Sequence, residues 1–206
     1  MPNRQGLLEG RAFYKAINDH IDKFIIRREA SGELVSATGN IGKARVIGAE
    51  IKAGTRLAWL GLPDVGIDAR YLRQRSRTTD PFTGMHRGLT FYWDDEVDFS
   101  LRHDVTAWGM SCGGKFTATE GQQTFTDARV QRVFERGPKL EAFVEKKLWA
   151  GLTGRIDAYD LMPKHNREYQ SRILYTRDII DGAISRTERY TEIRDRRFVV
   201  SLRGRF

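Results

Sequence analysis

Only one cysteine, Cys112, occurs in 206 residues, so no disulfide forms within the chain, and no Cys/His spacing of the zinc-site kind is present. His20, His86, His103 and His165 are scattered without an i, i+4 pair, and no metal is expected. No stretch approaches the roughly 18 consecutive apolar residues of a membrane helix, which excludes a helical membrane protein. No Gly-rich phosphate loop, paired acids or base and nucleophile arrangement emerges. The segment GMSCGG lacks the G-x-S-x-G pattern, and Cys112 reads as a small lipid-facing residue within an extended run. The chain is therefore not expected to be an enzyme or to hold a cofactor. The opening MPNRQGLLEG lacks the continuous apolar stretch of a secretory leader, so export is expected to depend on sequence other than this start.

Positive charge is in excess: 35 Lys and Arg against 27 Asp and Glu give +8 and a pI near 9.8. A nucleic-acid surface would cluster these cations with interleaved aromatics. Here they fall at strand alternates and in connections, so nucleic acid is not expected as a partner. Arg27, Arg28, Arg73, Arg75 and Arg77 read as loop cations, solvated or turned toward an anionic lipid or ligand.

What the sequence does hold is a period of two. In RRFVVSLRGRF, Phe198, Val200, Leu202, Gly204 and Phe206 fall on one face, and Val199, Ser201, Arg203 and Arg205 on the other. Ile156 lies in a similar alternation over residues 152–159, preceded by Leu140, Ala142 and Val144 set against Glu141 and Glu145. Upstream, Val97, Phe99 and Leu101 oppose Asp98, Ser100 and Arg102, while Met110, Cys112 and Phe116 oppose Ser111, Lys115 and Thr117. Earlier still, Ile47 and Ile51 oppose Glu50 and Lys52, and Ile67, Ala69 and Tyr71 oppose Asp68 and Arg70. The first run, residues 7–17, alternates except at Phe13. About eight antiparallel strands follow. Such strands need only about 9–11 residues with alternate apolar positions to cross a membrane, so low hydropathy does not argue against one.

Connections alternate in length. Short turns are expected at residues 61–64, 104–107 and 150–152, and long polar segments at 19–42, 77–87, 120–137 and 162–186. Outer-membrane barrels have this asymmetry, with short periplasmic turns and long extracellular loops. Trp108, Trp149, Tyr14 and Tyr71 suit interfacial aromatic girdles; Trp93 suits a girdle or ordinary packing equally. The one helical reading falls on residues 127–134.

These segments together (GRAFYKAINDHID, GNIGKARVIGAEIKAG, the stretch from LAWLGLPDVG to TTDPFTG, LEAFVEKKLWAGLTGRIDAYDL and the terminal RRFVVSLRGRF) make the chain resemble the C-terminal β-barrel region of TonB-dependent outer-membrane receptors. The resemblance covers nearly all of residues 1–206. It implies an all-β fold, an antiparallel up-and-down transmembrane barrel segment of about eight strands forming a curved open sheet or partial barrel. It also implies a bacterial outer-membrane location and TonB-dependent uptake of a scarce nutrient such as a ferric siderophore.

On that reading Ile47, Ile51, Ile67, Phe99, Leu101, Met110 and Ile156 face lipid. Phe198, Val200, Leu202 and Phe206 resemble the terminal signal read by the outer-membrane assembly machinery. Expected partners are outer-membrane lipids and lipopolysaccharide, that machinery, an imported ligand, and TonB only through a plug domain. Plug, TonB box and signal peptide are missing and such receptors have about 22 strands, which makes the chain look like a fragment. Two other readings stay open. One is a small closed outer-membrane barrel acting as an anchor or binding module, in which residues 7–17 pair with 197–206. The other is a soluble all-β binding protein with its apolar faces packed together.

Overall fold

The structure is a computed structural model that describes residues 6–27, 34–81, 84–90, 92–121, 123–126, 128–163 and 167–204. It is all-β and antiparallel. The strands are β1 (Gly6–Ile17), β2 (Ile21–Arg27), β3 (Leu34–Asn40), β4 (Ala44–Leu57), β5 (Leu62–Thr79), β6 (His86–Arg87), β7 (Asp95–Val105), β8 (Met110–Glu120), β9 (Gln123–Thr126), β10 (Val130–Arg136), β11 (Lys139–Lys147), β12 (Thr153–Tyr159), β13 (Arg167–Tyr175), β14 (Ile184–Ile193) and β15 (Arg197–Arg203).

The main sheet runs β1-β4-β5-β7-β8-β11-β12-β15, with β6 added on β5. These eight strands follow one another in chain order, as the alternation and turn spacing predict. The sheet is open. β1 bonds to β4 and β15 to β12, and no β1–β15 pairing exists among the described residues, so the closure that a small complete barrel requires is not made.

Three tight turns join main-sheet neighbours at one end. Residues 58–60 and 106–108 form single 3₁₀ turns, closed by Gly61 at φ 78° and Gly109 at φ 57°. A left-handed residue ends such a turn, and glycine adopts that conformation without steric cost. In the third turn Ala150 and Gly151 both have positive φ, the two-residue hairpin form whose twist matches its strands. The first two turns lie closer to their tryptophans than expected. Pro63 belongs to β5 rather than to a turn; it sits where the β4–β5 register shifts, so its missing N–H interrupts no regular ladder bond.

The long connections carry strands of their own. β2 and β3 form a hairpin, and β9, β10, β13 and β14, contributed by two different connections, form a second sheet in the order β14-β13-β10-β9. The helix expected over residues 127–134 is not formed: Val130–Arg136 is strand β10, and Asp127 lies outside the described residues. Pairing with β9 on one side and β13 on the other supplies the backbone hydrogen bonds that a helix would have made internally. Arg73, Arg75 and Arg77 lie on β5 and not in a loop, because β5 continues to Thr79. The side chain of Arg27 and all of Arg28 fall outside what is described.

The hydrophobic core sits at this loop end. Ile25, Leu34 and Ala128 cluster with Ile179, drawing three connections together; Ala44, Val46 and Leu89 cluster with Phe13, Ile17 and Tyr92. Phe13, which interrupts the alternation of the first run, is thus a packing residue. It also covers Gly48, its cross-strand partner, where a β-carbon would stand 2.6 Å from the ring.

Candidate functional site

In an antiparallel ladder, directly paired residues point to the same side of the sheet, so register decides which side chains share a face. On one face a row crosses the sheet through Leu8, Ala53, Ala69, Phe99, Phe116 and Leu140. The next row toward the turns is Thr55, Ile67, Leu101, Gly114, Ala142, Ala158 and Phe198. A third is Val65, His103, Cys112, Val144, Ile156 and Val200. None of these rows holds a Lys, Arg, Asp or Glu.

The face is also open. Ile47, Ile51, Phe99, Leu101, Ile156, Phe198, Val200 and Leu202 are exposed, with Val200 at 78%, and Ile67, Met110 and Cys112 are half-buried. No second layer covers it among the described residues. Phe206 lies outside them.

The opposite face is charged and internally paired. Glu50, only 4% exposed, receives Arg70 Nε at 2.6 Å, Arg11 Nη2 at 2.8 Å and Lys52 Nζ at 3.4 Å. Arg70 also donates through Nη1 to Glu96 at 3.1 Å and Asp98 at 3.0 Å, and Lys115 Nζ lies 3.6 Å from Asp98. These groups come from five adjacent strands. Nearer the turns, Asp104 accepts from Ser111 Oγ and Arg102 Nε, both at 2.8 Å. Arg155 bonds Asp157 at 2.7 Å and stacks 4.2 Å from the Phe143 ring, while Arg203 reaches Glu145 at 2.9 Å. Phe143 lies over Gly113, its cross-strand partner, where a β-carbon would stand 2.8 Å from the ring. Such a network satisfies charges that would otherwise be costly where they are partly buried, as at Glu50.

Each tight turn presents a bare tryptophan: Trp59 is 73% exposed, Trp108 67% and Trp149 75%. Tryptophans at one level, where apolar rows meet polar turns, have the composition of an interfacial girdle. Trp59 escaped the sequence reading, although AWLG, TAWG and LWAG all place Trp within two residues of a turn glycine. Toward the loops, Tyr14 is exposed and Tyr71 Oη donates to Asp95 at 2.6 Å. Trp93 is instead a packing residue; its carbonyl accepts from Gln74 and Arg136 stacks on its ring.

The long connections are tied to one another. Asp22 of β2 accepts from Arg87 Nη1 at 2.9 Å, Thr90 Oγ1 at 2.9 Å and the Lys23 amide at 2.8 Å. Burial alone would raise its pKa, but these donors together with the Arg87 charge hold it below the ordinary carboxylate value. The Ala128 amide donates to Ser36 Oγ at 2.7 Å, joining the third connection to the first.

The sequence reading found the alternating faces but not the hub at Glu50 and Arg70, because charge alternation does not reveal which strands are neighbours. No group of three or more His, Cys, Asp or Glu able to hold a metal is present among the described residues. No family model matches this chain, and neither a curated protein nor a solved structure does.

Proposed function

We propose that this chain forms part of the wall of a transmembrane β-barrel in a bacterial outer membrane, in a receptor of the TonB-dependent kind. The observation that carries the reading is the division of one open sheet into an exposed apolar face free of formal charge over three adjacent rows and a charged, ion-paired face behind it. A water-soluble sheet would bury the first face; a barrel wall turns it to lipid and the second to a wet interior. Three strands match the roughly 9–11 residues of a membrane-crossing strand, β7 and β8 with 11 each and β11 with 9, while β4 and β5 are longer at 14 and 18 and β12 and β15 shorter at 7 each.

The edges of β1 and β15, unpaired among the described residues, favour a segment of a larger wall, since a barrel tolerates no free edge within lipid. With the tryptophan turns toward the periplasm, the long connections form the outer mouth, where a scarce nutrient such as a ferric siderophore would first be met. Phe198, Val200 and Leu202 share the apolar face of β15, which suits a strand read by the assembly machinery.

The test is flotation. The chain, diluted from denaturant into phosphatidylcholine vesicles, is expected to float with them and to resist a urea wash. A chain released quantitatively into the urea supernatant, while folded as β-structure by circular dichroism, would overturn the reading.

A further inference from the structure

The apolar face ends, toward the loops, in an uncompensated cationic patch. Arg45 and Arg77 are directly opposed in the β4–β5 ladder, on the same face as Ile47, and both are exposed. Like charges directly opposite one another destabilise a ladder. Neither arginine has a hydrogen-bond or ion-pair partner among the described residues, whereas Arg75, next along the strand face, is held by Asp94 and Asp95 at 3.4 Å.

The two arginines line a depression of about 400 Å³ together with Tyr14, Lys43, Thr79 and His86. No carboxylate lines it. Thr79 Oγ1 and His86 Nδ1 lie 3.0 Å apart at its rim. Immediately toward the turns on the same face come the exposed side chains of Tyr14 and Ile47, which pair with each other and lead along β1 and β4 to Ala12, Ala49 and Ile51, beside Arg75 and Arg73 of β5.

We propose that this depression binds the phosphate-bearing headgroup of a membrane lipid, a site that deepens the barrel-wall reading and rests on it. Guanidinium forks match phosphate oxygens in pairs, and a dianionic phosphomonoester between Arg45 and Arg77 removes the repulsion that the bare ladder carries. The adjoining Tyr14 and Ile47 give the acyl chain an apolar path that a soluble anion would leave unused. A lipid therefore fits both halves of the surface, and a free anion fits one.

The test compares the chain with R45Q/R77Q and with R132Q/R196Q, which removes equal charge from exposed arginines elsewhere. Insertion into neutral phosphatidylcholine vesicles is measured first by flotation, and all three chains are expected to insert. Binding is then read from the motionally restricted fraction of a spin-labelled phosphatidic acid, the phosphomonoester probe, diluted to about one lipid in ten.

R45Q/R77Q is expected to weaken that binding roughly tenfold or more, and R132Q/R196Q to leave it within about twofold. Millimolar inorganic phosphate is expected not to displace the lipid. Equal weakening in both variants, or none in R45Q/R77Q, overturns the site while leaving the barrel-wall reading intact. Full displacement by inorganic phosphate overturns the lipid as its occupant. Failure of all three chains to insert overturns the barrel wall and the site together.

Discussion

The two ends of the main sheet treat apolar side chains in opposite ways. Toward the loops some are withdrawn into a core: Val46 and Ile25 lose essentially all contact with water, and Leu34, Leu89, Ala44 and Ala128 nearly all, while Ile21, Met85, Ile180, Ile184 and Ile193 of the connections stay exposed. Toward the turns Ile156, Val200, Leu202 and three tryptophans stand bare on one chain with the same solvent. Burial of a Val or Leu side chain is worth about 1.5–3 kcal/mol, so a sheet that can assemble a core at one end does not leave larger side chains bare at the other unless another medium covers them. On the barrel-wall reading we propose, the loop end folds in water and the turn end meets an apolar phase.

The sharpest way to break this comparison is to place a charge on either face of β15. Val200→Arg is expected to cost about 2–4 kcal/mol of folding free energy in a bilayer if the residue lies near the midplane, and Ser201→Arg, one step along and on the charged face, much less. Urea titrations of vesicle-inserted protein would read both, and equal costs would contradict the assignment of faces. Next in size is Glu50→Ala, which leaves Arg70, Arg11 and Lys52 facing one another without their shared acceptor. A loss of about 3 kcal/mol is expected by the same titration, with partial recovery in the Glu50→Ala/Arg70→Ala double variant.

The loop end offers a pH test. Asp22 has a depressed pKa in the folded state, so its contribution is present above the ordinary carboxylate pKa and is lost as pH falls through the depressed value. Asp22→Asn is therefore expected to lower the thermal midpoint at pH 7 and to match the parent once the pH is well below about 4. A deficit that persists unchanged at low pH would mean that the site's packing, not its charge, was lost. The smallest effect expected is at the girdle: Trp59→Ala, Trp108→Ala or Trp149→Ala should each cost about 1 kcal/mol or less in the bilayer, and almost nothing in a detergent micelle that lacks a flat interface.

Much of this was legible in the sequence because a strand with one apolar and one charged face writes both into alternate residues. Residues 97–102 give the facing of β7 without any knowledge of its partners, and the spacing of the turns gives the strand order. Three things were not legible. Strand β10 is set by pairing with β13, far along the chain, and its local pattern reads as weakly helical. The Glu50–Arg70 hub depends on register across five strands, which no single strand encodes. Phe13 breaks the alternation because it answers to a different environment, the core beneath the loops.

The central claim, that one face of the sheet lies in lipid and the other in water, is tested most directly on β7. Spin labels placed singly at residues 97–103, in a Cys112→Ser background reconstituted into phosphatidylcholine bilayers, report collisions with oxygen, which concentrates in lipid, and with a water-soluble nickel chelate. The account predicts oxygen maxima at 97, 99, 101 and 103 and nickel maxima at 98, 100 and 102. Profiles without that two-residue alternation, or with nickel reaching 99 and 101 as freely as 98 and 100, would contradict it.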